Sequence, residues 1–170
     1  MANDSWDFVP IQKKYNCGDF DCGNNELNQY LRKYAKQNDK KGIGKTYIAV
    51  KPSTAKSISG YYTISTSTIE FESLPEDTAR KLTSYPIPAI LIGRLAVDLN
   101  YQGEGLGEKL LVDALNRIVQ ISEDVGIYAV RVDAINEKAK QFYLKYEFLP
   151  FEDRPLSLFL PLKTIRQQFN

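Results

Sequence analysis

Apolar positions along the chain recur with two periods, and their succession predicts the order of the elements. Trp6 to Ile11 alternates as a first strand. Leu27, Tyr30, Leu31, Tyr34 and Ala35 share one helical stripe, on a helix from Glu26 to about Lys40 that Asn24 or Asn25 caps and Gly42 stops. Lys45–Lys51 and Ile58–Phe71 are rich in Tyr, Ile, Val and Thr and read as strands, with Pro52-Ser53-Thr54 as the turn. Pro75–Thr83 predicts a short helix, and Tyr85-Pro86-Ile87-Pro88 a stiff approach to the next strand. Pro88 to Val97 is apolar apart from Gly93 and Arg94, the pattern of a central strand covered on both faces. Leu106, Leu110, Leu111, Ala114, Leu115, Ile118 and Val119 mark a long amphipathic helix ending near Gly126. Ile127–Ala134 reads as another buried strand. Asn136 can cap a helix on which Ala139, Phe142, Tyr143 and Tyr146 share a face. Phe148–Phe151 and Leu156–Leu160 form a closing hairpin. The order β-α-β-β-α-β-α-β-α-β-β, without repeats or a linker, describes one α/β domain over residues 1–170 with a mixed sheet.

Composition changes this picture mainly by what it excludes. Apolar residues at 43% and charged residues at 25% are ordinary for a globular domain. No apolar run approaches the roughly 18 residues of a membrane span, and the first residues show no signal peptide, so a cytoplasmic location is expected. Histidine is absent, which removes Ser-His-Asp and Cys-His catalysis and His-ligated metals. Cys17 and Cys22 are too few for a four-ligand zinc site, so no metal is expected, and Cys22 reads as a small packing residue. The net charge of +1 gives no global nucleic-acid footprint. Locally, Arg32, Lys33, Lys36, Lys40, Lys41 and Lys45 stand against Asp39 alone, a charge of +5. That face is either solvated surface or a phosphate-backbone patch beside Tyr30 and Tyr34.

The densest chemical signal follows the central strand. Gln102-Gly103-Glu104-Gly105-Leu106-Gly107 places three glycines at alternate positions before an amphipathic helix. Glycine allows positive φ and close approach of a ligand to bare backbone, and amides leading into a helix N-terminus attract anions. The spacing fits neither the dinucleotide fingerprint, which needs glycine where Glu108 stands, nor a Walker loop. It fits Gln/Arg-x-x-Gly-x-Gly/Ala, through Gln102, Gly105 and Gly107.

That pattern resembles the acetyl-CoA signature of the GCN5-related N-acetyltransferases (GNAT). The resemblance implies a mixed, mostly antiparallel sheet with a splayed parallel strand pair, Ile90–Val97 and Ile127–Ala134, and flanking helices. It implies that the pantetheine arm of acetyl-CoA pairs with backbone of Leu95, Ala96 and Val97. The amides of Gln102, Gly103, Glu104, Gly105, Leu106 and Gly107 then take the pyrophosphate, and Asn136 either bonds the arm or serves only as a helix cap. Tyr143 falls where the family often carries the acid that protonates the departing thiolate; its alternative is an aromatic core position. Glu70, Glu72 and Asp98 are the carboxylates that could serve as a base, and none stands out. An α-amine with a pKa near 7.7 needs a base less than an ε-amine near 10.4.

The segments Phe20-Asp21-Cys22-Gly23, Gly44-Lys45-Thr46-Tyr47 and Ile92-Gly93-Arg94-Leu95-Ala96-Val97-Asp98 are similar to acetyltransferase toxins of toxin–antitoxin pairs. With Val132-Asp133-Ala134 and Phe142-Tyr143, the likeness covers roughly residues 17–150. It implies acetylation of the α-amine of aminoacyl-tRNA, a ribbon-helix-helix antitoxin partner and a homodimer. The near-neutral charge and the acidic Glu104 depart from that pattern. Acetylation of a small-molecule or protein amine, or a non-catalytic acyl-CoA-binding module, are the other readings of the same motifs.

Overall fold

The computed structural model describes residues 5–54, 56–70, 73–82 and 86–169. Seven strands among them are hydrogen-bonded in the order β1-β2-β3-β4-β5-β7-β6. The chain divides into two units, Met1–Ser65 with Gly93–Ala114 and Thr66–Ile92 with Leu115–Asn170.

The first unit holds β1 (Asp7–Pro10), β2 (Lys45–Val50) and the start of β3 (Gly60–Ile69), paired antiparallel as Asp7↔Val50 and Thr46↔Thr63. Between β1 and β2 the chain is helical. Asn24 accepts the Leu27 amide at 3.0 Å to start α1 (Asn25–Gln29), a π-helical turn spans Tyr30–Tyr34, and α2 (Ala35–Lys41) ends at left-handed Gly42. The π turn corrects the expected stripe. Its wider winding moves the inward position from Tyr34 to Ala35, so Leu27, Tyr30, Leu31 and Ala35 are buried while Tyr34 is 51% exposed. The buried helical residues form one cluster with Ile48, Val50, Tyr61 and Ala96.

Gly60 shows how tightly this unit is packed. A Cβ there would lie 2.9 Å from the Ala96 carbonyl oxygen, 2.9 Å from Leu110 Cδ1 and 3.2 Å from Leu106 Cδ2. The nearest obstacle is backbone and cannot rotate away. Gly60→Ala is therefore expected to destabilise the fold by about 1–3 kcal/mol through overpacking. Urea unfolding should show a lower midpoint at unchanged slope.

In the second unit the start of β4 (Ile87–Val97) runs parallel to β5 (Ala129–Asp133), and β5 is antiparallel to β7 (Ser157–Pro161), which pairs with β6 (Leu149–Pro150). The β4–β5 register begins at Ala89↔Ala129 and stops at Ile92↔Val132, as expected of a splayed pair, while β4 itself runs on to Val97. Burial is uneven along the strand, with Pro88 exposed, Leu91 half-buried and Ala96 buried. Ile87, Ala89, Ile90 and Ile92 are buried, but Gly93–Leu95 and Val97 are only half-buried. Full coverage of this strand on both faces is thus an expectation the structure corrects.

Helix α3 is one turn, Glu76–Ala79, shorter than the pattern predicted, and its capping residue Pro75 contributes no side-chain bond. Helix α4 (Leu106–Ile121) starts where the pattern predicted but stops at Ile121, short of Gly126, and helix α5 (Glu137–Leu144) starts after its Asn136 cap but stops before Tyr146. A last helix, α6 (Leu162–Phe169), is additional, with Leu162 and Ile165 buried. Phe71, Thr83 and Tyr85 of the expected elements lie outside the described residues, as does Glu72.

Candidate active site

In the first unit, the end of β4 turns directly into the glycine-rich segment. Asp98 is buried, and its two oxygens accept the amides of Asn100 at 2.8 Å and Asp21 at 3.0 Å. Its own amide donates to the Ser59 carbonyl at 2.9 Å. With both oxygens engaged in shaping the turn, Asp98 is a structural anchor. Gln102 does related work. Its side-chain amide donates to the carbonyls of Val97 (2.9 Å) and Cys22 (3.0 Å). Gln102 therefore holds the turn in shape with its side chain and offers a ligand only backbone.

Pinning continues through Phe20–Asn28. Asp21 accepts the amide of Gly23 (2.9 Å) and the side-chain amide of Asn28 (2.9 Å), which together hold its carboxyl below the ordinary range. The Asn28 side-chain oxygen accepts the Cys22 amide at 2.8 Å. Cys22 is half-buried against the apolar cluster, and desolvation pushes its thiol up. These contacts are local, while the bonds from Gln102 to Cys22 and from Asp21 to Asp98 join the segment to residues 80 and 77 positions away, a relation that the motif Phe20–Gly23 signals without explaining.

Gly103 and Gly105 both have φ of +83°, and no heavy atom lies within 4 Å of a Cβ built on either. Gly107 differs from the expectation. It is already the second residue of α4 and has no positive φ. Among the described residues no amide from Gly103 to Gly107 donates to a turn carbonyl, and the first such donor past the turn is Lys109, to Gly105 at 3.2 Å. The result is an open row of N–H groups over empty space at a helix N-terminus, which fits a pyrophosphate. Leu95, Ala96 and Val97 precede it on the stretch of β4 beyond the β5 register. Arg94, the one charge in β4, is half-buried with its guanidinium carbon 3.6 Å from the centre of the Tyr30 ring.

In the second unit, Asn136 accepts the Ala139 amide at 2.9 Å, so the capping role is realised. Among the described residues its side-chain NH2 has no partner. Tyr143 is 6% exposed, with its ring edge-on to Phe142 (5.2 Å) and Phe148 (5.4 Å). Desolvation raises its phenol above the ordinary value. Among the described residues nothing accepts its hydroxyl proton, so the proton is available for transfer.

The basic face divides in two. Arg32 donates to the Phe20 carbonyl, Lys36 to those of Lys13 (3.2 Å) and Tyr15 (2.9 Å), and Lys45 to Asp39. Lys33, Lys40 and Lys41 are exposed. Glu70 is exposed as well. Among the described residues no cluster of Cys, Asp or Glu could hold a metal ion, and no helix is long and apolar enough to cross a membrane.

An open glycine-rich turn between a strand edge and a helix, with a buried tyrosine of uncommitted proton elsewhere in the chain, suits an acyl-CoA-dependent transferase. Residues 87–155 match the acetyltransferase (GNAT) domain model. A tRNA-acetylating toxin of Mycobacterium tuberculosis is 33% identical over 147 residues, 86% of this chain and 86% of that protein. The fold is similar to a tyrosine-to-phenylalanine mutant of KacT, with a TM-score of 0.92 at 34% identity over 97% of this chain and 99% of that one. It is similar also to AtaT complexed with acetyl-methionyl-tRNAfMet (TM-score 0.90, 31% identity, 97% and 99% covered). A third likeness is to a mutant AtaT bound to the C-terminus of the antitoxin AtaR and acetyl-CoA (0.85, 30%, 98% and 99%). The chain belongs to the GNAT acetyltransferase family and is an acetyl-CoA-dependent N-acetyltransferase.

Proposed function

We propose that this protein transfers the acetyl group of acetyl-CoA to the α-amine of an aminoacyl-tRNA and thereby blocks translation. The observation that carries this reading is the likeness, over nearly the whole chain, to AtaT in complex with its acetylated tRNA. Residues 1–170 act as one catalytic domain in the cytoplasm, where charged tRNA is found. The protein forms a homodimer and is restrained by an antitoxin, as AtaT is bound by AtaR.

In the proposed reaction the neutral amine attacks the thioester carbonyl, and a backbone amide of Leu95–Val97 stabilises the oxyanion. The C–S bond breaks, the amide forms, and the thiolate takes the Tyr143 proton; the amine's proton leaves to water, and water returns a proton to Tyr143. The Gly103–Gly107 amides hold the pyrophosphate, Gln102 holds the turn, and Asn136 offers its NH2 to the pantetheine arm. Asp98 is engaged with backbone and Glu70 is exposed. An α-amine near pKa 7.7 is substantially neutral without help from either.

The acceptor is tested on the exposed lysines, leaving Lys36 to tie Lys13 and Tyr15. Lys40→Glu with Lys41→Glu should raise the KM for charged tRNA and reduce the slope of log affinity against log salt by about two. Acetylation of a minimal amino-acid ester should be spared. Equal KM for charged tRNA in mutant and wild type at every salt concentration would make this face solvated surface.

A further inference from the structure

A cation–aromatic cluster flanks the phosphate turn at both ends. Tyr101 immediately precedes Gln102, and Lys109 lies one helical turn past Gly105. Both meet Trp6. The Tyr101 ring stands edge-on to the indole at 6.1 Å, and the Lys109 ammonium sits 5.2 Å from the indole centre. Lys51 adds a second ammonium, 4.6 Å from the indole and 5.5 Å from the Tyr101 ring. Side chains on a helix lean toward its N-terminus, which directs Lys109 toward the turn that carries the open amides.

The attraction of the exposed Lys109 ammonium to an aromatic face is weak beside a charge-assisted bond to phosphate. The turn itself supplies no cation: its one charged side chain is Glu104. Among the described residues Lys109 has no carboxylate partner. Coenzyme A carries, besides the pyrophosphate, a phosphate monoester on its ribose, and that group accompanies any pyrophosphate seated on Gly103–Gly107.

Resting on the acetyl-CoA reading above, we propose that Lys109, with Lys51 and the Trp6–Tyr101 platform, binds the 3′-phosphate of coenzyme A. The cluster then makes the enzyme selective for acetyl-CoA over its 3′-dephospho form.

Calorimetry on the full chain with acetyl-CoA and acetyl-3′-dephospho-CoA tests this. Wild type should prefer acetyl-CoA by about tenfold or more, the range of a hydrogen bond to a charged group. Lys109→Ala should bring the preference close to one by weakening acetyl-CoA binding alone, and Lys109→Arg should retain most of it. Equal losses for both donors in Lys109→Ala, or no preference in wild type, overturn the proposal while leaving acetyl-CoA as donor. An unchanged donor preference with a raised KM for charged tRNA overturns it in favour of an acceptor contact. If wild type binds neither donor, the acetyl-CoA reading itself fails and this assignment falls with it.

Discussion

Replacing Tyr143 with phenylalanine is expected to lower turnover by about 10²–10⁴ while acetyl-CoA affinity changes by less than about twofold. The substitution keeps the ring, and with it the edge contacts to Phe142 and Phe148. Only the hydroxyl, and with it the transferable proton, is lost. Burial raises the phenol's pKa, so the acid is fully loaded at neutral pH. The same dry surroundings raise the pKa of a thiol leaving beside it, so proton transfer depends on the difference between the two. A raised pKa in the folded state also has a sign for stability. It favours folding fully below the unfolded value of about 10, and that contribution is lost as pH rises through the folded value. Wild type should therefore lose stability above about pH 10 more steeply than Tyr143→Phe, while near pH 7 the two differ little. Single-turnover rates with saturating acetyl-CoA are the decisive readout. Equal rates in both proteins would reduce Tyr143 to a packing aromatic.

Local chemistry was legible where a single residue type satisfies a single backbone need. Asn24 and Asn136 were readable as caps because each accepts an amide three positions on. The glycine-rich turn was readable as a turn because Gly103 and Gly105 occupy backbone that other residues resist. The π turn at Tyr30–Tyr34 was not, because a stripe at i, i+3, i+4 assumes regular winding and one widened turn displaces Tyr34 from it. Helix α6 was legible in principle, since Leu162 and Ile165 are spaced as an apolar face, but it follows directly on β7 with no capping residue to announce it. The division of the basic face was beyond the sequence altogether. Lys36 and Lys40 look alike in a string of letters, yet Lys36 donates to carbonyls 21 and 23 positions away and Lys40 is exposed. The same holds for Gln102: the motif marks it as a binding residue, whereas its side chain spans to Cys22 and shapes the site.

Gly105→Glu is expected to weaken acetyl-CoA binding by on the order of 10²-fold or more in a protein that still folds. Two effects combine. At φ +83° a side chain strains the backbone by roughly 1–2 kcal/mol, which tends to swing the turn's amides off their alignment. The new carboxylate also stands where a diphosphate must approach, and juxtaposed like charges in a binding site cost several kcal/mol. The protein itself raises no obstacle, since no atom lies within 4 Å of a Cβ at this position. Loss of affinity then arises on the ligand's side and not from a clash within the fold. Gly105→Asn separates the two effects, because asparagine tolerates the left-handed region and carries no charge. It should lose far less affinity than the glutamate. Thermal unfolding should place both variants within a few degrees of wild type, because the turn is exposed and adds little to the core. A folded Gly105→Glu protein that binds acetyl-CoA with wild-type affinity in calorimetry would remove the pyrophosphate from this turn. The 3′-phosphate assignment to Lys109 would then lose the anchor on which it depends.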